Sequence, residues 1–344
     1  MKKVIVIGGG FAGSDVAKKL EKDFDVTLID LANYFEFTPG VLRTIVKPEH
    51  IKKIQILHYS YLKKAKVVIG KVGEVTKRYV KIGSRKMMFD YLAICSGSTY
   101  SSPIKDRDPV MDLRAKNLRS YYDKLCKSKR VLIIGGGLVG IELAGEILSK
   151  YEDKKIILVH SKDRLMERNP EKASRYAKRY LEKRGVEIIY NEKVIKGKDK
   201  IFSTDRGRKI KSDLAFLCTG IIPNFELMKK NFPSKLNERN QVKVNEYLQL
   251  VGERKIFAAG DVNDLNVEKT AQNAQLQAKI VVNNIYALEN GRELASYIFK
   301  KTPLVISLGK YNGIYCHGNF VFSGFIPALI KVFIEKWEMW KRKL

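Results

Sequence analysis

The sequence predicts an α/β protein built from two Rossmann-like nucleotide-binding domains, with small antiparallel meanders and a C-terminal amphipathic helix. Three observations predict it. The first thirty residues read as strand, glycine turn, helix and a second strand ending on an acid. The same order recurs from about Ser128. The two copies carry matching landmarks at nearly equal spacing, 89 residues from Gly8 to Gly97 and 85 from Gly135 to Gly220, which marks a duplicated fold.

In the first copy, Val4-Ile5-Val6-Ile7 is a short apolar run suited to a fully buried parallel strand. Gly8-Gly9-Gly10-Phe11-Ala12-Gly13 follows and fits G-x-G-x-x-G. Gly8 permits a sharp turn, Gly10 lets the backbone approach a pyrophosphate, and Gly13 lets the helix lie close on the strand. The helix opening at Phe11 and Ala12 and running to about Leu20 offers free N–H groups and a positive dipole end to phosphates. Val26-Thr27-Leu28-Ile29 ends on Asp30, whose carboxylate can accept hydrogen bonds from ribose hydroxyls.

Composition bounds the rest. A chain of 344 residues has room for two or three domains with proper cores. No apolar run approaches the length of a membrane-spanning helix. The nucleotide strand begins at Val4, so no secretory or transit segment is expected ahead of it and the expected compartment is the cytosol. The net charge of +28 suits attraction to a polyanion or an anionic lipid surface, although its lysines are spread along the chain as solvated faces also require. Cys95, Cys126, Cys218 and Cys316 form no C-x-x-C pair and no Cys/His cluster with metal spacing. Cys95 and Cys218 end apolar strands, where a small buried residue fits.

Residues Leu31 to Gly40 form an aromatic, turn-rich loop at a strand end, the place where open α/β sheets bind ligands. Arg43, on the helix that follows, is a candidate for a phosphate or cofactor contact, or for a solvent salt bridge. Val67–Ile69, Glu74–Thr76, Tyr79–Ile82 and Met87–Phe89 read as an antiparallel meander. Asp90 to Cys95 is another buried strand, closed by Ser96-Gly97. The polar stretch from Pro103 to Pro109 marks a domain boundary. In the second copy Val131–Ile134 leads into Gly135-Gly136-Gly137-Leu138-Val139-Gly140, and a helix carries Glu142 and Glu146 one turn apart. Ile156–Val159 is the next strand, short strands follow from Val186 to Phe202, and Asp213 to Gly220 repeats the strand-and-glycine ending. Lys255 to Asp261 is a further strand ending in Gly260-Asp261. A helix then starts near Glu268 and runs to about Leu288, and Thr302 to Phe325 alternates apolar strands with glycines. From Leu329 onward, steps of about 100° per residue place Leu329, Ile330, Phe333, Ile334, Trp337, Trp340 and Leu344 on one side and Lys331, Glu335, Glu338 and Arg342 on the other. The two tryptophans among basic residues suit a membrane interface, and docking on the core or in a dimer is the alternative.

These motifs together resemble the two-dinucleotide-binding-domain flavoproteins over essentially the whole chain. Within them the sequence looks most like the apoptosis-inducing-factor-like quinone reductases, including the ferroptosis-suppressor type, and then the type II NADH dehydrogenases. Leu158-Val159-His160-Ser161, Ile222-Pro223-Asn224 and Ser307-Leu308-Gly309-Lys310 point to the first group. The resemblance implies that residues 1–107 and 245–301 bind FAD, that 108–244 bind NADH or NADPH, and that 302–344 carry the membrane-binding helix. It assigns Gly8, Gly10, Phe11, Ala12, Gly13, Asp30, Arg43, Val72, Gly97, Gly260, Asp261 and Ala271 to FAD, with Val72 a backbone contact for adenine. Asp261 is to accept from a ribityl hydroxyl, and the helix starting near Lys269-Thr270 is to aim its positive end at the flavin. Gly135, Gly137, Leu138, Val139, Gly140, His160 and Gly220 are assigned to the nicotinamide dinucleotide. His160 stands where NADH-specific enzymes usually carry an acid, and beside Lys162 and Arg164 it suggests use of both NADH and NADPH.

The implied reaction is hydride transfer from the nicotinamide to the flavin, then delivery of two electrons to a membrane quinone. Glu142, Glu146 and Gln272 are the catalytic candidates. Ala271-Gln272-Asn273-Ala274 matches the start of the quinone-site motif of the type II dehydrogenases, but Leu276 takes the place of its next glutamine. The wide apolar face and cationic character of the tail helix further suggest a peripheral position on the inner face of the cell membrane, and a homodimer is compatible with it. Sulfide:quinone reduction through a Cys126–Cys316 pair, a soluble NAD(P)H oxidase or ferredoxin-type reductase, and a basic nucleic-acid-binding flavoprotein are the rivals. Nucleic acid is the least favoured partner, because no nucleic-acid module or aromatic-basic patch is present.

Overall fold

The computed structural model describes residues 1–100, 103–106 and 108–343. Arg107, at the expected first boundary, and Leu344, counted on the apolar side of the tail, lie outside the described residues.

The first fingerprint sits on a five-stranded sheet, ordered Ile256–Ala258, Tyr91–Ile94, Lys3–Ile7, Asp25–Asp30, Lys66–Ile69, with every neighbouring pair parallel. Its central strands are apolar without alternation because both faces are covered. Val4 and Val6 face the helices Phe11–Leu20 and Ala271–Glu289, with Val16, Leu20, Val281 and Ile285 in the same core. Ile5 and Ile7 face the other way, onto a three-stranded meander of Val72–Val75, Tyr79–Ile82 and Arg85–Met88. The strand Ile256–Ala258 returns to this sheet from beyond the second unit.

One expectation is corrected here. Val67–Ile69 does not belong to the meander; it pairs parallel with Thr27–Asp30 as the sheet's edge. The crossover from Leu31 to Ala65 is long enough to return the chain in the same direction, and Gly70 N–H donates to the Asp30 carbonyl at 2.8 Å, extending the pairing. Four half-exposed residues carry too little pattern to distinguish the two arrangements.

The second fingerprint sits on a four-stranded parallel sheet ordered Glu187–Tyr190, Lys155–His160, Arg130–Ile134, Leu214–Leu217. Thus the first of the short strands expected after Val186 joins the parallel sheet, while Val194–Lys198 and Ile201–Thr204 form an antiparallel ladder with Lys209–Lys211. Two long helices were not foreseen, Met111–Lys127 and Glu171–Glu182, nor were the single-turn helices Ile51–Ile54 and His58–Tyr61. Each long helix buries a thin stripe in a highly charged segment: Arg114, Leu118 and Leu125 in one, Ala173, Ala177 and Leu181 along the other.

A three-stranded antiparallel sheet of Leu304–Ser307, Gly313–His317 and Phe320–Gly324 runs straight into the tail helix, Phe325–Lys343. The helix docks with its charged side inward. Lys331 Nζ donates to Glu142 at 2.9 Å, Glu335 meets His50 at 3.1 Å, and Glu338 accepts from Gln275 at 2.9 Å. Arg342 donates to Ser14 Oγ at 2.8 Å and Asp15 at 3.1 Å while lying 3.7 Å over the Phe35 ring. Lys18 caps the last turn through the carbonyls of Lys341 and Arg342. The apolar side is left outside: Ile326, Leu329, Phe333, Trp337 and Trp340 are each about half exposed or more. Among the described residues no helix is long and apolar enough to cross a membrane.

Candidate active site

The two glycine fingerprints divide their labour in the same way. Gly8 and Gly135 have φ of +99° and +113°, a region that disfavours any side chain. Gly10 and Gly137 differ: their backbones are ordinary and extended, φ −73° and −75°, and nothing lies within 4 Å of where a Cβ would stand. Neither conformation nor neighbours require glycine there, and its bare backbone leaves the space in front of the turn open to an occupant. The first intrahelical bonds are Ser14 N–H to Gly10 and Ile141 N–H to Gly137, at 3.0 and 3.1 Å. The N–H groups of Phe11, Ala12 and Gly13, and of Leu138, Val139 and Gly140, therefore precede the helical ladder at the open turn, as anion cradles require. The residues present fit two bound pyrophosphates.

The strand-end acid is held. Asp30 is buried; its Oδ2 lies 3.0 Å from His58 Nε2, whose Nδ1 meets the Tyr61 hydroxyl at 2.7 Å. Asp30 Oδ1 also accepts from Leu31 N–H. His58 carries no motif that would have revealed it. Val72 opens the meander and is buried with Ile7 and Ile29, at the end of the sheet where the cradle lies. Arg43 does not line the site: it donates to Glu146 at 3.0 Å, tying the short helix Val41–Thr44 to the second unit.

On the other side of the first cradle, Gly260 N–H and Asn263 Nδ2 both donate to the buried Gln277 Oε1, at 2.7 and 2.8 Å, fixing the turn that presents Asp261. Asp261 accepts from Lys105 Nζ at 2.8 Å and Ser98 Oγ at 2.6 Å. Burial pushes its carboxyl up, but the Lys105 ammonium, its hydrogen bond and the Ser98 hydroxyl outweigh that and hold it below its usual range. Lys105 is a site residue the sequence reading missed, in the polar boundary stretch. Thr270 Oγ1 caps the helix that follows by accepting from Asn273 N–H at 3.3 Å, and Thr270, Ala271 and Gln272 line the same cavity. Of the neighbouring glutamines, Gln275 reaches Glu338 of the tail, Gln277 serves Gly260, and Leu276 is exposed.

One cavity of 810 Å³ joins these parts. It begins at Gly10, Phe11 and Ala12, passes Gly97, Lys105 and Asp261, meets the second helix at Leu138, Val139 and Glu142, and reaches Phe333, Ile334 and Trp337 of the tail. Glu142 is buried and accepts both Ser307 N–H and Lys331 Nζ at 2.9 Å. Glu146, one turn on, is instead a junction residue, shared by Arg43 and Ser307 Oγ. The two strand endings are stitched together: Ser98–Thr99 pairs antiparallel with Ile222–Pro223, and Asn224 Nδ2 donates to the Ser96 carbonyl at 2.7 Å. Gly220, at φ +110°, sits just before that stitch. His160 is buried at its strand end, with Nδ1 accepting from Gly136 N–H at 3.1 Å. Arg164 is turned to the loop, donating to the carbonyls of Glu167 and Asn169.

The four cysteines are free. Burial pushes the Cys95 and Cys218 thiols up to about 12 and the Cys316 thiol up to about 11, away from thiolate chemistry. Cys126 is exposed, 3.3 Å from the Tyr151 hydroxyl, whereas Cys316 is buried in the strand Gly313–His317.

Known proteins share this sequence pattern and fold. Apoptosis-inducing factor homolog A of Dictyostelium discoideum is 33% identical over 363 residues, covering 96% of this chain and 88% of that protein. Human ferroptosis suppressor protein 1 is 28% identical, covering 90% and 87%. The sulfide:quinone oxidoreductase of Aquifex aeolicus shares the fold with a TM-score of 0.86 at 18% identity, over 100% of this chain and 92% of that one. NDH2 of Plasmodium falciparum, solved with NADH, gives 0.84 at 16% identity, over 99% and 97%. The family model for pyridine nucleotide-disulphide oxidoreductases matches residues 2–278, a span that holds both cradles and Asp261. The chain thus belongs to the pyridine nucleotide-disulphide oxidoreductase family and is an FAD- and NAD(P)H-dependent oxidoreductase.

Proposed function

We propose that this protein is an NAD(P)H:quinone oxidoreductase seated peripherally on the inner face of the cell membrane by its tail helix. One observation carries the reading: a single cavity runs from the first cradle past the second to the flank of a helix whose apolar side faces outward. In this reading residues 1–107 with 245–301 hold FAD, 108–244 hold the nicotinamide dinucleotide, and 302–344 form the membrane seat. FAD, when bound, supplies acceptance of a hydride and release of two electrons.

The chain's own residues prepare that chemistry. The N–H groups of Phe11, Ala12 and Gly13 would hold phosphate oxygens of FAD, and Lys105 neutralises Asp261 so that the carboxylate could accept a hydroxyl without leaving an unpaired buried charge. The helix start at Thr270–Gln272 directs its dipole into the cavity and favours negative charge there. Glu142, oriented by Ser307 N–H and Lys331, holds a carboxylate at the second cradle's side of the cavity. Phe333, Ile334 and Trp337 give the far end an apolar wall suited to an oily acceptor. The Aquifex relative, whose name states a quinone acceptor, supports that choice. Cysteine-dependent sulfide chemistry is disfavoured because exposed Cys126 and buried Cys316 form no pair, and because burial holds the thiols of Cys95 and Cys316, which do line the cavity, in their protonated form.

The test is stopped-flow on the yellow protein: reduction by NADH or NADPH, then mixing with ubiquinone, menaquinone, oxygen or ferredoxin. Fast reoxidation by a quinone, accelerated on lipid vesicles, is expected. Slow reoxidation by every quinone would refute the acceptor and leave the family membership intact.

A further inference from the structure

The strand end of the second unit carries a histidine where an acid would receive the adenosine ribose, yet an acid is present beside it. His160 Nδ1 accepts a hydrogen bond from Gly136 N–H at 3.1 Å, so the ring proton sits on Nε2. Nε2 is buried, makes no aligned hydrogen bond, and lies 3.3 Å from Glu167 Oε2. Glu167 arrives from the loop after the strand, and its side chain is 35% exposed while that of His160 is 8% exposed.

The loop is built to hold it there. Met166 N–H donates to the Gly136 carbonyl at 3.0 Å from a left-handed backbone, φ +48°. Leu165 is fully buried against Gly136. Arg164 grips the carbonyls of Glu167 and Asn169, so its guanidinium serves the loop rather than an incoming phosphate. The first unit shows the same pair with the chain positions exchanged: there the strand end supplies the acid, Asp30, and a later residue supplies the imidazole, His58 Nε2, at 3.0 Å.

We infer that Glu167 is the ribose-recognising acid of the second cradle, positioned by His160, and that it selects NADH over NADPH. The carboxylate accepts the adenosine 2′-hydroxyl and repels a 2′-phosphate at the same place. The inference rests on the second cradle binding a nicotinamide dinucleotide. His160 acts through Glu167 and is a positioning residue; Glu167 touches the ligand.

The experiment uses the flavin-loaded protein and two probes that carry no nicotinamide, ADP-ribose and 2′-phospho-ADP-ribose, titrated calorimetrically, alongside kcat/KM for NADH and NADPH. ADP-ribose is expected to bind at least about tenfold more tightly than its 2′-phosphate. Glu167→Gln should bring the two within about threefold, Glu167→Asp should retain most of the discrimination, and His160→Asn should lose it with the unfolding midpoint unchanged. Equal binding of both probes by the wild type, or an unaltered ratio in Glu167→Gln, overturns the assignment. Failure of either probe and of both nicotinamide nucleotides to bind overturns the reading of the second cradle itself, and this inference with it.

Discussion

The outward apolar side of the tail helix allows the membrane seat to be tested without touching the cavity. Ile326, Leu329 and Trp340 are 61%, 51% and 50% exposed, and none of them lines the cavity. A tryptophan presents about 200 Å², so half of it is about 100 Å², or about 2.5 kcal/mol on full burial. The exposed halves of Ile326 and Leu329 add about 1 kcal/mol each by the same scale. A helix lying in the headgroup region buries only part of this surface, and halving the sum leaves about 2 kcal/mol. The triple variant Ile326→Ser, Leu329→Ser, Trp340→Ser should therefore lose about thirtyfold in partitioning to anionic vesicles. Flotation on lipid vesicles reads the partitioning. Calorimetric unfolding and gel filtration read stability and association, and bleaching of the flavin by NADH reads the cavity. Only the first should change. Partitioning equal to wild type would refute the membrane seat, and a change of oligomeric state in the variant would show that a second copy covers this side instead.

Two further perturbations follow from the cavity. Gly10→Val and Gly137→Val place a side chain where backbone and neighbours tolerate one; the first should give a folded, colourless protein and the second a yellow protein that NADH does not bleach, by absorbance and circular dichroism. Lys105→Met tests the Asp261 pair through acid unfolding of the flavin-free protein. The folded carboxyl lies below its ordinary value of 3.8, so its stabilisation is complete above that value and lost as pH falls below it through the lower folded value. Without Lys105 the opposing effect of burial is less compensated, so the variant should be less stable at neutral pH and lose less between pH 4 and pH 2. An acid-unfolding curve parallel to wild type would refute the pairing.

What was legible in the sequence was whatever local pattern dictates. Gly8, Gly10 and Gly13, and their counterparts Gly135, Gly137 and Gly140, declare a turn, an opening and a close contact within six residues, and the strands around them declare burial on both faces. The partners of the site residues were not legible, because each reaches the site from a distant element. His58 meets Asp30 across 28 positions, Lys105 meets Asp261 across 156, and Lys331 meets Glu142 across 189. The helices Met111–Lys127 and Glu171–Glu182 were hidden for a different reason, since three buried residues in the first and four in the second suffice to seat them and leave the surrounding charge to dominate the pattern. Arg43 was misdirected by its position after a ligand-binding loop; packing turned it to Glu146, where the two units meet.

The tail helix shows most clearly what periodicity leaves open. A helical wheel separates an apolar side from a charged one, but both a docked helix and a surface helix satisfy it. The structure resolves the choice through specific polar partners. Asp15 and Ser14 of the first fingerprint helix receive Arg342, while Glu142 of the second receives Lys331. One helix is thus pinned to the starts of both nucleotide-binding units by charges that burial makes costly to separate, and its outward surface carries the apolar side chains together with Lys336, Lys341 and Lys343. The same pinning makes Phe333, Ile334 and Trp337 part of the cavity wall. In the proposed reading, the surface that would seat on lipid and the wall that borders the cavity are two sides of a single element, so an oily acceptor would need no separate channel: it would enter along the edge between the helix and the bilayer.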